Sequence, residues 1–144
     1  MKKSKRLQPI CDFTKRKEDE AAKVVARASQ NLNSQKQRLV DLKNYRAEYA
    51  QQFAQAGGAG LNASRMRDYQ NFMGNLSKVI DQQQSAIQVL EREFEAKKRQ
   101  WLAERSRTKA LTTVQDRYVS KETLQEEKKL QKEIDDRYSR STSN

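Results

Sequence analysis

Three of the chain's four glycines, Gly57, Gly58 and Gly60, fall within four residues in the stretch QAGGAGLNAS. Glycines packed this closely could cradle a phosphate, because bare backbone N–H groups approach an anion closely. A Walker-type loop also needs a lysine and a hydroxyl residue directly after the glycines, and a strand before them. Here Leu61, Asn62 and Ala63 follow, and the preceding segment reads as helix. The run therefore reads as a chain reversal. Histidine is absent altogether, which removes the commonest general base, the commonest metal ligand and every triad built on imidazole. No catalytic, cofactor-binding or metal-binding residues are assigned. Cys11 is the lone cysteine, so an internal disulfide is impossible. A small, partly buried thiol in a reducing compartment is expected.

The remaining chemistry is charge and apolar surface. Net charge is +11, from 30 Lys plus Arg against 19 Asp plus Glu. The excess concentrates at the start, in Lys2, Lys3, Lys5, Arg6, Lys15, Arg16 and Lys17, against the single acid Asp12. Such an arm suits nucleic acid, anionic lipid or an acidic protein face. Stacking on bases uses interleaved aromatics, and Phe13 is the only aromatic before Tyr45. Solvated charge or a protein-binding arm fits better. No signal peptide or apolar run of membrane-spanning length is legible, so a cytosolic or peripheral protein is expected.

The elements that position these residues follow from the pattern. Of all residues, 35% are hydrophobic and 34% charged, too lean for a broad core but enough for a narrow stripe along a long helix. Between Ile10 and Ala56 there is no proline or glycine. Steps of three and four give Cys11, Thr14, Glu18, Ala21, Val25, Ala28, Leu32, Gln35, Leu39, Leu42, Arg46, Tyr49, Phe53 and Ala56, mostly apolar and spaced as a heptad seam. After Ser64 a second seam reads Met66, Tyr69, Met73, Leu76, Ile80, Gln83, Ile87, Leu90, Phe94, Lys97 and Trp101, then weakens.

The reading is an all-α chain: two long helices in an antiparallel coiled-coil hairpin, the second overhanging at its C-terminal end. The boundaries are a basic arm at 1–9, helix at 10–56, a glycine-rich tip at 57–63, helix at 64–138 and a frayed tail at 139–144. Pro9 suits a first helical turn, and Asn62 or Ser64 can cap the second helix. Facing residue numbers should sum to about 115 or about 122. Either places Gln35 within one layer of Gln83, as a register-fixing polar layer or as two tolerated glutamines. From about Leu111 to Tyr138 the second helix should lack a partner within the chain, leaving Val114, Tyr118, Val119, Leu124 and Ile134 bare. Beside the seam, Tyr45, Phe72 and Val79 stand at g positions, with Ala86 following. They widen the stripe beyond what two helices bury, which marks either an interaction patch or side chains leaning over the seam.

The chain resembles the FliJ family, the small soluble component of the flagellar protein-export apparatus. The local matches are Tyr45-Arg-Ala-Glu-Tyr49, Tyr69-Gln-Asn-Phe72, Gln115-Asp-Arg117, and the glycine tip followed by RMRDYQNF. The resemblance implies a non-enzymatic two-helix coiled coil like the stalk of rotary ATPases. It implies three partners: the export ATPase hexamer, the cytoplasmic domain of the export gate protein, and export chaperones. No specific nucleic acid is implied, and membrane association comes only through partners, at the cytoplasmic face of the inner membrane. Gate binding carries over to Arg38, Leu42, Tyr45, Tyr49, Phe72, Leu76, Val79 and Gln83. ATPase-ring contact falls on Lys2, Lys3, Lys5, Arg6, Lys15, Arg16, Lys17, Tyr118 and Val119. Virulence-type secretion stalk proteins share the architecture. A basic coiled-coil nucleic-acid binder and a structural homo-oligomer are the alternatives from other classes.

Overall fold

A computed structural model of the chain describes residues 1–57 and 62–143. It contains two helices, α1 (Lys3–Ala56) and α2 (Ala63–Thr142), which pack against each other as an antiparallel helical hairpin. The glycine-rich reversal expected at 57–63 falls largely on residues 58–61, outside the described residues. Asn62 caps α2: its side-chain oxygen accepts from the Arg65 N–H at 2.9 Å, and its carbonyl accepts from the Met66 N–H at 3.2 Å. The chain divides into two units, a central one (Lys23–Arg99) and a terminal one (Met1–Ala22 with Gln100–Asn144).

In the central unit the seam residues face inward. Leu32, Leu76 and Ile87 are buried, and Ile80 is only 2% exposed. The rest of the seam is half-buried, apart from Met66 and Ala56, because a two-helix pair encloses only its a and d positions. Gln83 spends both amide hydrogens on Gln35, one on its side-chain oxygen at 2.9 Å and one on its carbonyl at 3.0 Å. The two glutamines therefore form one hydrogen-bonded polar layer. A slip in register would strand these polar groups against aliphatic layers. The surface pair Lys36–Glu91, at 3.4 Å with both side chains about half exposed, adds little.

The terminal unit departs from the sequence reading in three ways. First, α1 starts at Lys3, not near Ile10. Pro9 therefore lies in the second turn, where it has no N–H to offer the Lys5 carbonyl. The cause is a seam that continues backwards through polar positions. Ser4 is buried and Leu7 half-buried. Second, α2 is partnered well past Leu111. Glu104, Thr108, Leu111, Gln115, Tyr118 and Glu122 are all half-buried at steps of three and four. Gln115 donates to the Ser4 carbonyl at 3.2 Å and the Gln8 side chain at 2.6 Å. The Thr108 hydroxyl lies 3.2 Å from the Thr14 carbonyl. The bare overhang begins only at Thr123. Third, α2 continues through Thr142 where a frayed tail was expected.

The pairs Thr14–Thr108 in the terminal unit and Phe53–Tyr69 in the central unit both sum to 122, the upper of the two expected alternatives, while Gln35–Gln83, at 118, bridges between adjacent layers.

Glu122 resolves a local electrostatic problem. The first turn of α1 has no acidic residue and carries Lys3, Lys5 and Arg6, all unfavourable at the positive end of a helix. The Glu122 carboxylate takes the capping role from the other helix. It accepts from the Ser4 N–H at 3.2 Å and from the Ser4 hydroxyl at 2.6 Å. The Ser4 hydroxyl first, then the Ser4 and Lys3 N–H groups and the Lys2 charge, hold its carboxyl below its ordinary 4.5 against an opposing effect of burial. The polar seam is not complete: one Glu104 oxygen is buried with no partner among the described residues.

Two outcomes follow. Gly74 lies inside α2, and a Cβ added there meets nothing within 4 Å, so Gly74→Ala should stabilise the fold by about 1 kcal/mol. A thermal melt should rise by a few degrees, and an unchanged or lower midpoint would contradict the open geometry. A depressed acid stabilises above its unfolded pKa, and that contribution disappears as pH falls through the folded value. The Ser4 amide resonance should therefore titrate with a midpoint below 4.5, and Glu122→Gln should abolish the titration. A midpoint at or above 4.5 would remove the cap.

Candidate functional site

Two surfaces carry the sequence-predicted residues, one in each unit. In the central unit five rings form a continuous cluster across both helices. Phe53 and Tyr69 stack with centroids 3.7 Å apart and planes 9° from parallel. Tyr69 lies nearly parallel to Tyr49 at 5.9 Å, Tyr49 meets Phe72 at 4.4 Å, and Tyr45 meets Phe72 edge-on at 6.0 Å and 75°. The heptad explains this series. Tyr49, Phe53 and Tyr69 hold seam positions, while Tyr45 and Phe72 stand at g, where the two flanking rows of an antiparallel pair approach each other. Edge-to-face and offset contacts of this kind stabilise beyond the area they bury.

The eight residues assigned to gate binding do not share one environment. Tyr45 is 51% exposed and Val79 is 40% exposed, and Arg38 is open to solvent. Leu42, Tyr49 and Phe72 are half-buried. Leu76 is 8% exposed, so it supports the patch from beneath. Gln83 is committed to Gln35. The surface a partner would meet is Arg38, Tyr45, Val79 and the outer edges of Tyr49 and Phe72. Val40, 49% exposed, occupies a b position on the opposite flank. Seam spacing already contained the Phe53–Tyr69 stack, but only the folded pair brings these rings onto the patch.

The residues assigned to the ATPase contact all lie in the terminal unit; six of the nine line two shallow grooves, and Arg6, Lys15 and Lys17 line neither of these. One is lined by Lys5, Arg16 and Val119 with Gln8, Asp12 and Gln115. The other is lined by Lys2, Lys3 and Tyr118 with Lys121, Glu122 and Gln125. Several cations are already engaged. Lys2 pairs with Glu126, which raises its ammonium above the ordinary 10.5 through a hydrogen bond and direct attraction. Lys3 lies over the Tyr118 ring at 5.5 Å and Lys17 over Phe13 at 5.0 Å. Lys15 pairs with Glu18 and Asp19 at 3.6 and 3.5 Å. Periodicity of apolar residues missed this arrangement, because the residues that join the terminal helices are Ser4, Thr108, Gln115 and Glu122.

Among the described residues no group of three or more His, Cys, Asp or Glu is placed to hold a metal ion, and no helix is long and apolar enough to cross a membrane.

Comparison with known proteins adds independent information. The flagellar FliJ protein family model matches residues 2–144. The flagellar FliJ protein of Salmonella typhi is 25% identical over 130 residues, covering 90% of this chain and 88% of the relative. The flagellar FliJ protein of Escherichia coli (strain K12) is 23% identical over the same length and coverage. No solved structure matches the chain significantly. A family match that runs from the basic first turn of α1 to the end of α2 leaves no part of the hairpin outside it, and the chain belongs to the flagellar FliJ family.

Proposed function

We propose that this chain is a non-enzymatic coupling component of flagellar protein export, needed for flagellum assembly and motility. It uses two separate surfaces, one per unit. The g-row aromatics of the central unit bind the cytoplasmic domain of the export gate protein. The basic residues of the terminal unit, with Tyr118 and Val119, contact the export ATPase hexamer. Empty export chaperones are handled by the same protein, at the cytoplasmic face of the inner membrane.

The family match supports the export assignment. The observation that carries the gate surface is the half-exposed Tyr45 locked edge-on against Phe72. A ring pinned by a neighbour loses little conformational entropy on binding, which favours aromatic anchors at interfaces. The ATPase surface rests on charge. Long-range attraction between a basic arm and an acidic lining speeds encounter and is screened by salt.

The two surfaces separate in one experiment with two variants. Tyr45→Ala with Phe72→Ala should weaken binding to the gate domain by at least tenfold, while far-UV helicity and ATPase binding persist. Deleting residues 1–17 should weaken ATPase binding and flatten its salt dependence, while gate binding persists. Unchanged gate affinity in the first variant would remove the aromatic patch from that role. An unchanged salt response in the second would remove the basic arm from the ATPase contact.

A further inference from the structure

Charge in the terminal unit is sorted by flank. On α1, the g and c rows up to Lys17 hold Lys3, Arg6, Ile10, Phe13 and Lys17, with no acid. On α2, the matching rows between Gln100 and Gln125 hold Arg107, Val114, Arg117, Lys121 and Leu124, again with no acid; Glu20 and Asp135 stand on these rows only beyond the two stretches. In an antiparallel pair the g rows of both helices lie on the same side. The edge-on contact of Tyr45 with Phe72, both at g, shows that side in the central unit. The acids Asp12, Asp19, Asp116 and Glu126 occupy the e and b rows of the opposite flank.

The acid-free flank is not simply a solvated basic face. Ile10 is 49% exposed, Phe13 52%, Val114 37% and Leu124 51%, so apolar side chains stand about half in water among the cations. This combination, basic residues around exposed aliphatic and aromatic ones on a helix surface, matches the interfacial zone of a bilayer. Apolar groups enter the acyl boundary while lysine and arginine stems reach back to the headgroups. We propose that this flank of the terminal unit docks directly on an anionic lipid surface.

A nucleic acid would satisfy the charge but not the rest. Bases stack on open aromatic faces, and the two rings on this side, Phe13 and Tyr118, already carry Lys17 and Lys3 over them. Ile10, Val114 and Leu124 would gain nothing against phosphates. The proposal is independent of the ATPase contact. It replaces the expectation that membrane association comes only through partners. Lys3, Arg6 and Lys17 belong to both surfaces, so lipid and ATPase compete for them.

Vesicle co-sedimentation of the full chain tests this, with phosphatidylcholine alone against a mixture containing roughly one-third phosphatidylglycerol. Binding should appear only with the anionic lipid and decline with salt. Arg6→Gln with Lys17→Gln should lower partitioning about 30-fold, at about a fivefold loss per cation. Lys5→Gln with Lys15→Gln removes the same net charge from the other flank and should change it less than threefold. Ile10→Ser with Phe13→Ser should lower it about tenfold. Circular dichroism should show each variant as helical as the parent. Absent or composition-independent binding overturns the proposal. So does equal loss from both charge pairs, or indifference to the serine pair. Retention of duplex DNA with the same dependence on Ile10 and Phe13 would assign the flank to nucleic acid instead.

Discussion

One constraint governs this molecule: two helices have only one shared face, so burial is confined to a seam of a and d positions. In the central unit that seam is aliphatic and aromatic, with Ile80, Leu76, Ile87 and Leu32 the most enclosed of its side chains. Everything beside the seam stays at least partly in water. Residues at g, such as Tyr45 and Val79, are therefore exposed by geometry. A third element would be needed to cover them, and the chain has none among its described residues. The same limit that makes the core thin makes the flanks available to partners.

The terminal unit solves the pairing problem with different chemistry. Its seam positions hold Ser4, Thr14, Thr108, Gln115 and Glu122 alongside Cys11 and Leu111, and hydrogen bonds between the helices supplement a thinner set of apolar side chains. Each bond exchanged for one with water stabilises only about 1 kcal/mol. The capping of α1 by Glu122 is the exception in kind: it satisfies backbone N–H groups that the first turn cannot satisfy itself, and offsets a helix end crowded with cations.

Much of this was legible before folding. The apolar repeat from Val25 to Phe53 and from Tyr69 to Trp101 placed the helices, the layer containing Gln35 and Gln83, and the flank carrying Tyr45, Phe72 and Val79. The true start of α1 and the extent of pairing beyond Leu111 were not legible from apolar period, because Ser4, Gln115 and Glu122 look like surface residues until a partner appears opposite. Stepping by three and four through Glu104, Thr108 and Gln115 reaches them, but only if polar residues are allowed into the seam. Leu76 and Gln83 show the converse limit. They share the helix face of the candidate gate surface, yet one is covered and the other bonded within the fold.

Hydrogen–deuterium exchange tests the central claim, that stability resides in the aliphatic layers and that the polar terminal pairing opens locally. Amides around Leu32 and between Leu76 and Ile87 should exchange slowest. Those from Lys5 to Thr14 should exchange measurably faster, and those beyond Thr123 fastest. Uniform protection along both helices, or an overhang protected as well as the segment around Ile80, would contradict the account.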